Sequence, residues 1–222
     1  AEIRGVDADA KLLDGASGLE VKDVAAQVDR DGGQGGLTDN RFMVTEKSKM
    51  LAGELYDPGD PELKADRARA RALYLELNAA LPEQRDRLVS ALIGKFERAA
   101  ITPPFYCDYG YNIELEENVY FNVNCVLLDV CRITIGGNSM FGPGVQIYTA
   151  AHPMQAHERK LGLECGRPVV VGRDVWVGGG AIICPGVSVG EGAVIGAGSV
   201  VTRSVPPGVF AAGNPCRVVR QL

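Results

Sequence analysis

The sequence has few histidines and few aromatic residues for its length. Among 222 residues there are 2 His, 1 Trp, 6 Phe and 7 Tyr. A zinc site with three histidine ligands therefore cannot be built within one chain, and no metal site is predicted. Any reaction that needs a histidine base has to use His152 or His157.

Long apolar runs and closely paired cysteines are also missing. No run of 18 apolar residues is present, so no membrane-spanning helix is predicted. The first nine residues lack the basic and apolar regions of a secretory signal. None of the 6 Cys forms a Cys-x-x-Cys pair, which argues against a zinc or redox motif. We expect a cytoplasmic protein with free thiols and no membrane partner.

The net charge of −5 is confined to one end of the chain. Residues 1–40 contain nine acidic and four basic residues, which gives −5, whereas residues 41–222 balance at 19 and 19. The main part of the chain therefore has no basic surface field, and no nucleic-acid partner is predicted.

Three segments follow one another along the chain. Residues 1–44 are acidic and glycine-rich, which indicates an extension or linker, with a short helix expected at 21–28. Residues 45–100 have the apolar spacing of helices and form a predicted helical leader. Residues 101–222 have a different period and form the predicted main domain.

Capping residues place the helices of the leader. Asp60 and Pro61 provide an N-cap and a first helical position, and they predict a helix that continues to Leu81. Pro82 opens a further predicted helix that extends to about Glu97. The apolar positions expected to face the core are Leu63, Ala70, Leu73, Tyr74, Leu77, Leu88, Leu92, Ile93 and Phe96.

A repeat of six residues dominates the main domain, and a fixed period of this kind indicates a stacked repeat architecture. One aliphatic or aromatic residue recurs at every sixth position within each tract. The positions in this phase are Leu115, Phe121, Leu127, Ile135, Phe141, Ile147, Val171, Val177, Ile183, Val189, Ile195 and Val201. Such a period predicts a coil of three short strands per turn, about 18 residues, that stacks on the next turn at roughly 4.8 Å.

A second position follows four residues after each of these and is small or β-branched, which suits an inward site near a bend. Examples are Val175, Ala181 and Ala193. Gly, Asn and Asp supply the positive φ values that the bends require. The sequence therefore predicts a mainly β protein with a parallel β-helix and an N-terminal helical segment.

The repeat is interrupted by the loop at 148–170, which contains both histidines. A long excursion from a regular solenoid is more often functional than accidental. The loop contains Ala151-His152-Pro153 and, further on, Leu163-Glu164-Cys165.

Five features together resemble the hexapeptide-repeat sugar O-acetyltransferases. They are the repeat itself, the segment from Met50 to Asp57, the segment from Pro103 to Asn112, the His152 loop, and the segment Ala212-Gly-Asn-Pro-Cys-Arg217. The maltose acetyltransferases are the closest type, with galactoside and nodulation acetyltransferases nearby. The resemblance covers about 45–222.

This resemblance implies a left-handed β-helix that assembles as a homotrimer, with acetyl-CoA in the groove between neighbouring subunits. It also implies an acceptor sugar at each of three sites between subunits. His152 matches the family's catalytic base, Glu164 matches the residue that orients it, and the N–H of Gly179 matches the oxyanion donor.

The resemblance further assigns contacts to both substrates. The acceptor sugar is expected at Asp57, Asp108, Asn122 and Asp129. The contacts expected for acetyl-CoA are Trp176, Gly179, Ala197, Thr202, Arg203, Arg217 and Arg220. Of these, the arginines would bind phosphate through charge-assisted bonds.

Two alternatives remain open at this stage. The same fold and cofactor could serve a non-sugar acceptor such as an amino acid, an amine or an antibiotic. The trimer could also be a non-catalytic scaffold. A β-helix carbonic anhydrase is rejected, because it needs three metal-binding histidines and the chain has two.

Overall fold

The computed structural model describes residues 44–222. The acidic extension predicted at 1–44, apart from its last residue, and the helix expected at 21–28 lie outside the described residues. The helices are α1 (Glu46–Ala52), α2 (Pro61–Ala79), α3 (Pro82–Leu92) and α4 (Ala156–Arg159). The strands are β1 (Lys95–Ile101), β2 (Phe105–Cys107), β3 (Ile113–Phe121), β4 (Cys125–Leu128), β5 (Ile133–Ile135), β6 (Met140–Phe141), β7 (Gln146–Tyr148), β8 (Ala150–Ala151), β9 (Cys165–Gly166), β10 (Val169–Val171), β11 (Trp176–Val177), β12 (Ile182–Ile183), β13 (Ser188–Val189), β14 (Val194–Ile195), β15 (Val200–Val201), β16 (Val209–Ala212) and β17 (Arg217–Gln221).

Short parallel strands stack into three faces of a β-helix. One face runs in the order β15-β12-β7-β4-β2. The other two belong to one continuous sheet, because β3 bends at Asn118 and pairs with β5 before the bend and with β6 after it, while β1 pairs with β3 on both sides of the bend. Trp176 pairs with Val194 and Ile183 with Val201, so one turn takes the predicted 18 residues.

The interior of the coil is filled by the residues that the six-residue period selects. Every position from Val171 to Val201 in this phase is at most 2% exposed. The second inward position is equally buried, for example at Val175 and Ala181. The bends between strands have positive φ at Asn118, Asn124, Asn138, Gly144, Asp174, Gly180, Gly186, Gly192 and Gly198. The stacked coil and its turn chemistry are therefore confirmed.

The leader covers the first turns of this coil. Leu77 on α2 and Leu88 and Leu92 on α3 are buried in the same apolar cluster as the coil interior. A second cluster lies beside it and contains Met50, Tyr56, Leu63, Tyr109, Val130 and Cys131. The first helices thus bury the apolar end of the coil and build a small core next to the loop that contains the histidines.

The predicted third helix is shorter than expected. It ends at Leu92 instead of continuing to Glu97, and Lys95–Ile101 is a strand that pairs in parallel with β3. Gly94 makes this change of direction possible, because a Cβ there would overlap the carbonyl of Tyr111. Phe96, expected on a helix face, therefore lies half-buried in a strand.

Two further observations concern the whole of this described part. All six cysteines are free thiols, and none of the helices described over 44–222 is long and apolar enough to cross a membrane.

Candidate active site

A small antiparallel pair of strands sets His152 and Glu164 side by side. In this pair Ala151 of β8 faces Cys165 of β9. His152 directly follows β8 and Glu164 directly precedes β9, so both residues lie at the same end of this antiparallel pair. The β8–β9 pair thus joins the two ends of the 148–170 loop, and the two predicted site residues lie beside it.

His152 and Glu164 line one cavity of about 360 Å³, named here the His152 cavity. The complete lining is Pro58, Arg67, Asp108, Tyr109, Leu128, Val130, Ala150, His152 and Glu164. The structure therefore brings together three of the predicted site residues, His152, Glu164 and Asp108. His152 is exposed, and its side chain makes no hydrogen bond to any residue in the described range 44–222.

Glu164 is held by the leader. The phenol of Tyr56 donates to Glu164 Oε2 at 2.7 Å, and the backbones of the two residues exchange N–H···O bonds of 2.9 and 3.1 Å. Tyr56 is 1% exposed. Burial and the neighbouring carboxylate raise the pKa of Tyr56 far above its usual range, so its hydroxyl remains a donor.

Asp108 lines the same cavity, and no residue among 44–222 donates a hydrogen bond to its carboxyl group. Burial raises the pKa of Asp108 to about 6, and the charge of Glu164 adds to this effect while Arg67 opposes it. An acidic group in this state is suited to accept hydrogen bonds from a polar ligand that replaces water.

Arg67 and Tyr109 also line this cavity, although no motif in the sequence predicts a role for either residue. The Arg67 guanidinium donates to the Tyr109 hydroxyl at 2.6 Å and to the carbonyl of Pro58 at 2.6 Å. One feature of the sequence could have indicated Arg67: it lies between Leu63 and Ala70 on the buried face of α2, where a charged residue interrupts an apolar pattern.

The other residues predicted to bind the acceptor sugar lie outside this cavity. Asp57 is exposed, and its Oδ1 accepts the N–H of Gly59 at 2.7 Å. Asn122 lines a different groove, and its Oδ1 accepts the N–H of Val123 at 2.8 Å. Asp129 is 0% exposed and accepts backbone N–H groups, so it lines neither space.

A second concave surface, named here the Trp176 groove, has a volume of about 550 Å³. It crosses the outside of β3, β6, β11, β14 and β16. Its lining is Tyr120, Asn122, Met140, Phe141, Gly142, Pro143, Trp176, Gly178, Gly179, Val194, Ile195, Gly196, Ala197 and Phe210. Trp176 is 54% exposed, which confirms that it points outward from its strand. The groove brings together the predicted residues Asn122, Trp176, Gly179 and Ala197.

The N–H of Gly179 is available to a ligand in this groove. The ladder uses the N–H groups of Gly178 and Gly180, which donate to Ile195 and Pro143, whereas that of Gly179 has no acceptor among residues 44–222. The same corner position is Pro143 in the preceding coil, where no N–H exists. The coil can therefore form without a hydrogen bond from this N–H. Because residue 179 is glycine, it has no side chain of its own that would cover the N–H.

The remaining predicted cofactor residues lie towards the end of the chain. Thr202 and Arg203 are exposed and directly follow β15, and Arg217 opens β17. The Arg220 guanidinium lies 5.9 Å from the centre of the Phe210 ring, which lines the Trp176 groove. One end of the groove thus has an arginine beside it.

Two family models match the regions that build these surfaces. Residues 49–97 match the maltose acetyltransferase hexapeptide capping motif. Residues 168–203 match the bacterial transferase hexapeptide model with six repeats. The first match contains Tyr56 and Arg67 of the His152 cavity region, and the second contains Trp176 and Gly179 of the groove.

Individual proteins match most of the chain. Nodulation protein L of Rhizobium meliloti is 52% identical over 178 residues, which is 78% of this chain and 97% of that protein. The structure of a maltose O-acetyltransferase from Clostridium difficile 630 is 46% identical with a TM-score of 0.79, and covers 80% of this chain and 97% of its own. A hexapeptide-repeat acetyltransferase from Vibrio cholerae O1 biovar eltor, complexed with acetyl coenzyme A, is 38% identical with a TM-score of 0.76 and covers 80% and 98%.

Proposed function

This chain belongs to the hexapeptide-repeat acetyltransferases, and from that premise we propose that it transfers the acetyl group of acetyl-CoA to a hydroxyl group of a sugar, with His152 as the general base. The family membership makes the protein an acetyl-CoA-dependent acyltransferase close to the maltose O-acetyltransferases. The sugar acceptor, the base and the assembly of the site are the proposal.

The observation that carries the proposal is the separation of two surfaces. The His152 cavity has polar groups suited to an acceptor, and the Trp176 groove has the indole of Trp176 and the N–H of Gly179, which suit a thioester arm. The two linings share no residue. We propose that a homotrimer joins the cavity of one subunit to the groove of its neighbour.

The transfer can occur in one ternary complex. A ring nitrogen of His152 takes the proton of the acceptor hydroxyl while the hydroxyl oxygen attacks the thioester carbonyl carbon. The carbon–sulfur bond then breaks, and the leaving sulfur takes the proton from the imidazolium. The products are an acetyl ester and the free thiol of CoA, and no covalent enzyme intermediate is required.

Glu164 and Gly179 support this step in different ways. Glu164, at the same end of the β8–β9 pair as His152, fixes the orientation and protonation of the imidazole, either through its carboxylate or through its backbone carbonyl. The N–H of Gly179, which has no acceptor among the described residues, donates to the oxyanion that develops on the thioester carbonyl. Preorganised donors of this kind contribute about 3–4 kcal/mol to transition-state stabilisation.

Acceptor and cofactor would be held by groups around these two surfaces. Asp108 accepts hydrogen bonds from sugar hydroxyls inside the His152 cavity, with Asp57 at the edge and Asn122 from the neighbouring groove. Trp176 and Ala197 pack on the pantetheine arm of acetyl-CoA. The polar contacts proposed farther along are Thr202, Arg203, Arg217 and Arg220, the arginines facing the phosphates of the nucleotide.

An acceptor screen with matched histidine variants tests the proposed chemistry. Acetyl transfer from acetyl-CoA to maltose, glucose and galactosides is measured for the wild type, His152→Ala and His157→Ala. We expect a loss of about 10²–10⁴-fold for His152→Ala. His157 lies on α4 outside the His152 cavity, so its variant should keep the wild-type rate. Equal rates for all three proteins would sink the assignment of His152.

A mixing experiment tests the proposed assembly. His152→Ala protein is co-expressed with a variant that has an intact His152 but a groove blocked by Ala197→Trp. If each site joins two subunits, random mixing restores about a quarter of the sites. If each site lay within one subunit, the mixture would stay inactive. A monomer by light scattering would also refute this part of the proposal.

A further inference from the structure

The loop between β2 and β3 provides one wall of the His152 cavity and is secured from inside the coil. Asp108 and Tyr109 of this loop both line the cavity. Their backbone N–H groups do not join a strand ladder. Both donate to Oδ1 of Asp129, at 3.0 and 2.9 Å, so a single carboxylate oxygen anchors the backbone of both cavity residues.

Asp129 makes further contacts with the end of the same loop. Its Oδ2 accepts the N–H of Asn112 at 3.3 Å, and the Asn112 side chain donates to the carbonyl of Asp129 at 2.7 Å. Asp129 is 0% exposed. The loop is therefore clamped at both ends by one buried residue that follows β4 in the next coil.

The chemistry of the clamp fits a carboxylate better than any other side chain. Both oxygens face N–H donors, and only an ionised carboxylate offers acceptors on both atoms. An amide would direct its NH₂ group at one of these donors. At other corners of the coil, the hydroxyl groups of Ser139 and Ser199 make the side-chain bonds to the backbone. A fully buried acid is a costly choice, since it loses its hydration.

We propose that Asp129 is a positioning residue for the acceptor: it holds the Asp108–Asn112 loop so that the Asp108 carboxyl and the Tyr109 hydroxyl face the His152 cavity. Asp129 itself does not touch the acceptor. This inference rests on the proposed function, because it assumes that the acceptor binds in that cavity. It replaces the direct sugar contact that the resemblance assigned to Asp129.

The test compares Asp129→Asn with the wild type in steady-state kinetics at pH 8, with the acceptor turned over best among maltose, glucose and galactosides. We expect the KM for the acceptor to rise about tenfold, with the KM for acetyl-CoA and kcat within about twofold. Glu116→Gln is the matched control, because the Glu116 carboxylate also accepts a backbone N–H, from Gly137 at 3.0 Å, but lines neither surface. It should leave the acceptor KM unchanged.

A double-mutant cycle with Asp108→Ala separates positioning from general destabilisation. If Asp129 acts through Asp108, the double variant should be hardly weaker than Asp108→Ala alone, whereas independent effects would multiply. Multiplying effects, or an acceptor KM equal to that of the wild type in folded Asp129→Asn, would overturn the inference.

A second variant decides the matter if Asp129→Asn does not fold. Asn112→Ala removes the side-chain bonds to the carbonyls of Asp129 and Val130 and loosens the same loop. It should raise the acceptor KM in the same direction, and an unchanged value would refute the inference. A wild type that acetylates none of the acceptors would instead refute the proposed function, and this inference with it.

Discussion

The phenol of Tyr56 donates a hydrogen bond of 2.7 Å to Glu164 Oε2 across 108 positions of sequence. The two backbones form an antiparallel bridge at the same place. The helical leader is therefore attached to the histidine loop at Glu164, which lies at the same end of the β8–β9 pair as the proposed base. The leader lines part of the His152 cavity, through Pro58 and Arg67, and also covers the first turns of the coil.

Tyr56→Phe should lower acetyl transfer while the fold is kept. The variant removes the donor from Glu164 Oε2 but retains the buried ring, so we expect kcat to fall about tenfold and stability to fall by about 1 kcal/mol. The KM for acetyl-CoA should stay at the wild-type value, because the Trp176 groove is untouched. Steady-state kinetics and denaturant unfolding measure these quantities.

Tyr111→Phe is the matched control for that variant. The Tyr111 hydroxyl also donates to a carboxylate, Asp66 Oδ2 at 2.9 Å, yet Tyr111 does not line the His152 cavity. The control should show a comparable stability change and an unaltered kcat. If Tyr111→Phe and Tyr56→Phe changed kcat equally, the specific role of Tyr56 would be wrong.

The pH dependence of acceptor use should depend on Asp108. Its pKa is raised to about 6, so the carboxyl is mostly protonated at pH 5 and mostly ionised at pH 7.5. If the ionised form accepts bonds from the sugar, the kcat/KM ratio of wild type to Asp108→Asn should rise about tenfold over this interval. Taking the ratio cancels the titration of the groups that both proteins share. A ratio that stays flat from pH 5 to 7.5 would contradict the proposed role.

Removal of the exposed indole should weaken cofactor binding alone. In Trp176→Ala the groove loses its largest aromatic surface, and we expect the KM for acetyl-CoA to rise about tenfold or more. Stability should change little, because the side chain is exposed. Val218→Ala removes another exposed apolar side chain, 48% exposed and outside the groove, and should leave this KM unchanged. An unaltered KM in Trp176→Ala would remove Trp176 from the site.

The coil could be predicted from sequence because each repeat has the same environment. Val177, Ile183 and Val189 each occupy the same inward position, and a local pattern is enough to assign it. The end of α3 could not be predicted in this way. Phe96 fits the helical spacing, and the strand that contains it forms only through parallel pairing with β3, about 20 residues away.

Candidate site residues could be predicted from sequence where the residue type is rare in the chain. They could not be predicted where several residues of the same type lie close together in sequence. His152 and Trp176 stand out because the chain has 2 His and 1 Trp. Arg67 is one of several arginines on α2, and only the packing of that helix on the coil selects it for the cavity. The Tyr56–Glu164 bond joins distant segments, so no local pattern encodes it.

Two glycine variants distinguish glycines required by the close approach of neighbouring coils from glycines that provide a positive φ at a bend. A Cβ on Gly178 would lie 2.5 Å from the backbone nitrogen of Ala197 in the next coil, so Gly178→Ala should destabilise the protein by about 1–3 kcal/mol. Gly192 has φ +66 and no neighbour among residues 44–222 within 4 Å of a Cβ, and the corresponding bends of earlier coils have asparagine at Asn118 and Asn138. Gly192→Asn should therefore change the free energy of unfolding by less than about 1 kcal/mol. Denaturant titrations of both variants measure the difference. An equal loss of stability in the two would contradict the close approach of neighbouring coils as the reason for glycine at position 178.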